Sequence, residues 1–197
     1  MSIDSEAMVW FLMRAAYGQE QKAQEFLEAK GIETFLPLQE HCFVRDGKRV
    51  KKMQSLIPNF LFVKSTENEM KKYIGKHPVD FLHHYYVPHK DNSGNAIGTK
   101  GIKPLVIPDE QMAAFQQWYA IRDDNKLFIA DDKMHFTKDQ HVKVIGGKFE
   151  GMCGRVCHIK GQSRVGIVIS GVGIIFTAYI PAMLFKRSLG DHVMGNW

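Results

Sequence analysis

The chain has 197 residues, enough for one large domain or two small ones, and its 45 % hydrophobic and 24 % charged residues are those of a soluble globular protein. No run approaches the roughly 18 apolar residues that cross a bilayer, Met1 to Met8 lacks the basic start of a signal peptide, and three cysteines (Cys42, Cys153, Cys157) make no disulfide framework, so a cytoplasmic protein without membrane contact is expected. Net charge is +5 and lies entirely in the C-terminal part: residues 1–137 hold 18 Lys+Arg against 18 Asp+Glu, and residues 138–197 hold eight against three. That balance suits an acidic or nucleic-acid partner, although a solvated basic face has the same composition.

Met8 to Arg14 is a continuous apolar run of strand length and predicts a central strand. Glu20 to Lys30 places Ala23, Phe26, Leu27 and Lys30 at helical spacing, with Gly31 as the stop. Ile32 to Leu38 predicts a second strand, ended or edged by Pro37. Cys42 to Lys52 predicts a hairpin turning at Asp46-Gly47, in which five of the eight residues from 45 to 52 are basic.

Leu56 to Val63 reads as a buried strand, bent at Pro58-Asn59, whose outer face could carry aromatic residues toward a protein partner. Thr66 and Glu69 fit a capping box at the start of a short helix that turns Met70, Tyr73 and Ile74 inward and ends at Gly75. Val79 to Val87 predicts a further strand, and Pro88 to Gly101 a polar loop or extended hairpin. Pro108-Asp109-Glu110 opens a helix with Met112, Phe115 and Tyr119 on one face. This order indicates a mixed sheet with helices on one face.

Residues 121–137 carry two Asp pairs and little periodicity and read as a linker, within which Leu127 to Ile129 could dock. Four or five short strands follow over 138–187, at 141–144, 155–159, 164–170, 174–180 and 183–186, enough for a small barrel. Gly146, Gly147, Gly151 and Gly154 mark positive φ or close backbone approach around Phe149. Residues 188–197 form a tail.

Chemistry-bearing patterns are sparse. His83 and His84 are adjacent on a strand and point to opposite faces, and Cys153, Cys157 and His158 lack the further ligands of a zinc site. There is no P-loop, GxSxG or HExxH. The expectation is a non-enzymatic protein without metal or cofactor. The basic turn is either a solvated hairpin tip or a phosphate-contacting finger, with Lys48, Arg49, Lys51 and Lys52 as the nucleic-acid candidates.

Trp10-Phe11-Leu12, Gly18-Gln19-Glu20, the run from Gly31 to Pro37, Ile57 to Val63, Pro108-Asp109 and the C-terminal Gly146-Gly147-Lys148-Phe149-Glu150-Gly151 together resemble the NusG family over about residues 8 to 187. The C-terminal hairpin resembles the KOW motif. The resemblance implies an α+β protein: a ferredoxin-like N-terminal domain of the NGN type over 1–120, a linker over 121–137, and an SH3-like KOW barrel over 138–187. It implies a transcription elongation or antitermination factor, expected to be monomeric, whose N-terminal domain binds the β′ clamp helices and β gate loop of RNA polymerase near the nucleic acid of the elongation complex. The KOW domain would recruit Rho, the ribosome or another partner.

Pro58-Asn59-Phe60, where the general factor commonly has Pro-Gly-Tyr, resembles the operon-specific paralogues of the RfaH and UpxY type, which serve polysaccharide operons. Carried over by position, the clamp-helix contact falls on Trp10, Leu12, Arg14, Ile57, Pro58, Asn59 and Phe62, with Trp10 and Leu12 the first to be claimed by the core. Exchanging Ile57 and Phe62 for Ala is expected to abolish polymerase binding with little change in the melt. Lys71, Lys72 and Tyr73 would face the gate loop, and Phe149, Val172 and Ile174 a KOW partner. RfaH refolds its KOW domain from a helical hairpin, but the glycine and β-branched residues of 165–177 disfavour helix here, so a constitutive barrel is expected. Two other readings stay open: a KOW-containing RNA-binding or ribosome-associated protein, and an enzyme with an unrecognised site.

Overall fold

A computed structural model describes residues 6–88, 102–123, 125–130, 141–159 and 161–187. The predicted loop at 89–101, residues 131–140 of the predicted linker and the tail at 188–197 lie outside them. The chain divides into two units, Met1–Asp109 and Glu110–Trp197.

The first unit is built on β1 (Val9–Ala15), the apolar run nearest the N-terminus. It pairs along one side with β5 (Phe60–Ser65), and along the other with β6 (Leu82–His84) and then β9 (Val106–Ile107). A short β2 (Glu33–Phe35) completes the sheet beyond β5. Every pairing is antiparallel, which corrects the expected mixed sheet: the helical connection after β1 crosses over β5 to reach β2, so β1 and β2 run the same way but do not pair.

Successive strand residues face opposite ways. Phe11, Met13 and Ala15 of β1 and Leu61 and Val63 of β5 therefore share the face that packs on Ala23 and Leu27 of α1 (Glu20–Glu28). The helix stops as its sequence predicts: Gly31 takes a φ of +76°, and the Ile32 N–H donates to the Leu27 carbonyl at 3.1 Å, closing the last turn.

Two hairpins stand apart from this sheet. β3 (Leu38–Arg45) pairs with β4 (Lys48–Ser55) through the Asp46-Gly47 turn, and β7 (Tyr86–Pro88) pairs with β8 (Ile102–Pro104). The strand predicted over 56–63 begins only at Phe60, because Asn59 takes a φ of +67° and residues 56–59 form a turn. Only half of the predicted capping box of α2 (Glu67–Met70) forms. Thr66 Oγ1 accepts from the Glu69 N–H at 3.1 Å, but the Glu69 carboxylate is taken by Lys72 and by the Tyr73 hydroxyl.

The second unit contains a six-stranded antiparallel sheet in the order β10 (Leu127–Ile129), β14 (Gly173–Phe176), β13 (Gln162–Ile169), β12 (Cys153–Ile159), β11 (His141–Val144), β15 (Phe185–Arg187). Among the described residues of 138–187 no α-helix forms, only a 3-10 turn at Ala182–Leu184. Gly154 is required by close approach, since a Cβ there would lie 2.4 Å from the Gly166 carbonyl oxygen across the β12–β13 pair.

Two boundaries differ from the expected ones. Helix α3 (Asp109–Ala120), expected to close the N-terminal domain, falls almost wholly in the second unit. Its Trp118 indole donates to the Phe176 carbonyl at 2.9 Å, Gln111 exchanges two hydrogen bonds with Ser170, and Phe115 stacks on Phe128. Of the segment read as a linker, Lys126 and Leu127–Ile129 are likewise bound into this unit. Lys126 Nζ donates to the Trp118 carbonyl at 2.6 Å, capping the negative end of α3, and β10 pairs with β14.

Candidate functional site

The face of the first sheet opposite α1 gathers four of the seven residues assigned to the clamp helices, Trp10, Leu12, Arg14 and Phe62. Register sets Leu12 beside Phe62, Arg14 beside Phe60, and Trp10 between Lys64 and Ile107. Cross-strand partners share a face, so Trp10, Leu12, Arg14, Phe60 and Phe62 form one surface from two strands. Phe35 adds its ring 6.0 Å from Phe62, and Tyr85 meets Phe60 edge-on at 5.2 Å. Lys64 Nζ lies 5.7 Å over the Trp10 ring. Phe35, Phe60, Tyr85 and Ile107 were not among the predicted site residues. Their signal was the alternation itself, legible once Leu12 and Phe62 are known to be partners.

Burial divides the predicted set. Trp10, Leu12, Ile57 and Phe62 are 3 %, 1 %, 6 % and 0 % exposed, Asn59 is half-buried, and Arg14 and Pro58 are exposed. Ile57 and Phe62 therefore belong to packed apolar structure, and replacing Phe62 by Ala would cost about 3–5 kcal/mol of stability rather than leaving the melt unchanged.

The turn at the end of this face is held by residues far apart in sequence. The Asn59 backbone N–H donates to the carboxylate of Glu20, which is buried at the first turn of α1. Asn59 Oδ1 accepts from the Gly18 N–H at 3.2 Å, and the Asn59 carbonyl accepts from Ala15 at 2.8 Å. Positive φ is ordinarily glycine's, and Asn is the side chain that tolerates it best. Asn here both fills the position and supplies a bond that glycine could not.

The gate-loop candidates are engaged locally. Lys71 pairs with Glu67 at 2.9 Å and Lys72 with Glu69, while Tyr73 is half-buried against the core and edge-on to Phe26 at 5.8 Å. Hydrogen bonding to Lys72 lowers the Glu69 carboxyl pKa and raises that of the Lys72 ammonium. The four nucleic-acid candidates, Lys48, Arg49, Lys51 and Lys52, are all exposed on β4. Lys51 is bonded to Glu40 at 2.8 Å.

In the second unit, Phe149 and Ile174 are 4 % and 0 % exposed and Val172 is half-buried. Phe149 and Ile174 thus stand inside the apolar packing and offer no docking surface; a lone aromatic between glycines is a plug as readily as a contact. Among the described residues, the large exposed hydrophobics of this unit are Ile145, Tyr179 and Met183, which were not predicted.

Groups able to do chemistry are dispersed. His83 is exposed and His84 buried, on opposite strand faces. Among the described residues neither His84 ring nitrogen has a hydrogen-bond partner, and burial pushes its pKa down to about 4. Cys157 is buried, which pushes its thiol up to about 11, whereas Cys153 is exposed. Among the described residues no three His, Cys, Asp or Glu side chains come together as a metal site, and no helix is long and apolar enough to cross a membrane.

Sheet, α1 and the turn that joins them all fall within residues 8–116, which match the family model described as "Transcription termination factor nusG". The match spans more than half of the 197 residues, and the chain belongs to the NusG family of transcription elongation and termination factors, which bind RNA polymerase. No curated protein sequence matches the chain.

Proposed function

We propose that this protein is a non-enzymatic, operon-specific antitermination factor of the RfaH or UpxY type. Its N-terminal unit, read as the ferredoxin-like NGN domain, grips the polymerase clamp helices; its C-terminal sheet, read as a KOW barrel, recruits Rho, the ribosome or another partner. The observation that carries the reading is the single sheet face on which Trp10, Leu12, Arg14, Phe60 and Phe62 converge. Arg14, Pro58 and Asn59 make the outer contacts, and Trp10, Leu12, Ile57 and Phe62 are the apolar support that holds them in place. Asn59 in the left-handed region supports the specialised branch, because the glycine of the general factor suits the same φ and the change leaves the turn intact.

Lys71 and Lys72 face the gate loop from the exposed side of α2 and the turn after it, with Tyr73 positioning them from the core side. On the KOW unit Val172, with Ile145 and Met183, takes over the docking role expected of Phe149 and Ile174. The basic β3–β4 hairpin touches nucleic acid of the elongation complex.

Run-through transcription on a terminator template tests the reading: added protein should raise full-length product, and Arg14→Ala with Pro58→Ala should abolish that gain and the polymerase pull-down without moving the melt. Unchanged run-through together with tight, salt-steep RNA binding in the absence of polymerase would favour an RNA-binding or ribosome-associated protein instead, a reading favoured by the exposed cations of β4.

A further inference from the structure

The two faces of the β3–β4 hairpin are chemically different. Register places Arg45 opposite Lys48, Phe43 opposite Val50 and His41 opposite Lys52, and each pair shares one face. The other face carries Val44 with Arg49, Cys42 with Lys51 and Glu40 with Met53. The only carboxylate of the two strands, Glu40, is on this second face and ties up Lys51 at 2.8 Å. On the first face Lys48 and Lys52 have no carboxylate partner among the described residues, and Arg45 has only the exposed turn residue Asp46, 3.9 Å away. Phe43 and Val50, at its centre, are 40 % and 37 % exposed. All residues from Glu40 to Gln54 are exposed, so neither face is covered by the unit's own core.

We propose that the Phe43 face of this hairpin binds single-stranded nucleic acid, one base stacking on Phe43 while Arg45, Lys48 and Lys52 hold the flanking phosphates. The assignment rests on the nucleic-acid reading of the hairpin and sharpens it to a face and a ligand class. An exposed aromatic between cations is the arrangement that unpaired bases need, because every base offers a stacking surface and a phosphate on each side. A duplex hides its base faces and would leave Phe43 and Val50 against the polar backbone. The electrostatic attraction is also stronger on the Phe43 face, since Arg45, Lys48 and Lys52 lie there, whereas on the opposite face Glu40 offsets one of the two cations, Lys51, and leaves Arg49.

Fluorescence anisotropy with the full chain tests this, using labelled oligo-dT and oligo-U of 12 residues and a duplex of equal length. Phe43→Ala should weaken single-strand binding by about tenfold to a hundredfold and keep the salt slope. Lys48→Gln with Lys52→Gln should make the slope shallower by about 0.7 per lysine. Arg49→Gln with Lys51→Gln, on the other face, should stay within about twofold. The stronger of the oligo-dT and oligo-U arms identifies DNA or RNA as the strand bound. A preference for the duplex, a neutral Phe43→Ala, or equal effects of the two cation pairs overturns the assignment but leaves the hairpin a nucleic-acid contact. Absence of binding to all three probes overturns both. A thermal melt of each variant confirms that the exposed substitutions leave the fold intact.

Discussion

The Glu20 carboxylate accepts the backbone N–H of Asn59, 39 residues away, and so fastens the turn before β5 to the start of α1. Two segments that look like separate motifs in the sequence, Gly18-Gln19-Glu20 and Pro58-Asn59-Phe60, are one structural device. The device fixes where β5 begins and hence which of its residues share a face with Trp10 and Leu12. Glu20→Ala removes a charge-assisted acceptor from a part-buried N–H and should lower stability by about 1.5–3 kcal/mol, read from the urea midpoint.

Asn59 separates conformational from hydrogen-bonding roles. Asn59→Gly keeps the positive φ and loses only the bond to Gly18, for an expected cost of at most about 1 kcal/mol. Asn59→Val puts a β-branched side chain at a φ of +67° and should cost about 1–3 kcal/mol. Equal midpoints for the two variants would refute the conformational argument.

His84 predicts a pH dependence. Its ring is packed 4.8 Å from Phe11, and burial lowers its pKa to about 4, with nearby Lys71 adding to the shift and Glu67 opposing it. The unfolded chain, with an ordinary pKa near 6.5, binds a proton between these values that the folded chain refuses. The stabilisation is therefore complete above about pH 6.5 and falls as pH drops toward 4, by at most about 3 kcal/mol. His84→Phe should flatten this slope in urea titrations at pH 7.5, 6 and 5; a slope identical to that of the parent protein would sink the assignment.

Gly154→Ala must separate β12 from β13, because the added carbon meets backbone and cannot be relieved by a rotamer change. A loss of about 1–3 kcal/mol is expected. Gly146→Ala meets only the Leu184 side chain at 3.3 Å and should cost less; differential scanning calorimetry of the pair measures the contrast.

The second unit should be more stable as residues 110–187 than as 138–187. The shorter fragment lacks β10, whose Leu127 and Ile129 pack against Ile174 and Phe176, and lacks the Trp118 donor to the Phe176 carbonyl. Its urea midpoint should be clearly lower, and equal midpoints would show that α3 and β10 contribute nothing to the fold.

Local chemistry was legible from the sequence wherever a single segment decides the outcome. The Gly31 stop, the Asp46-Gly47 hairpin, the Thr66 cap and the alternation of His141 to Val144 all appear because turn geometry and strand period act over a few residues. Family membership was legible too, since an ordered set of modest motifs survives in the primary sequence. Tertiary structure alone decided which apolar residues are interior. Trp10, Phe62 and Phe149 look the same in sequence whether they await a partner or fill a core, because burial is set by residues distant in sequence, as Lys64 beside Trp10 and Phe35 beside Phe62 show. For the same reason 121–137 read as a linker: Lys126 and Leu127 to Ile129 have no local pattern, and their partners are the end of α3 and the edge of β14.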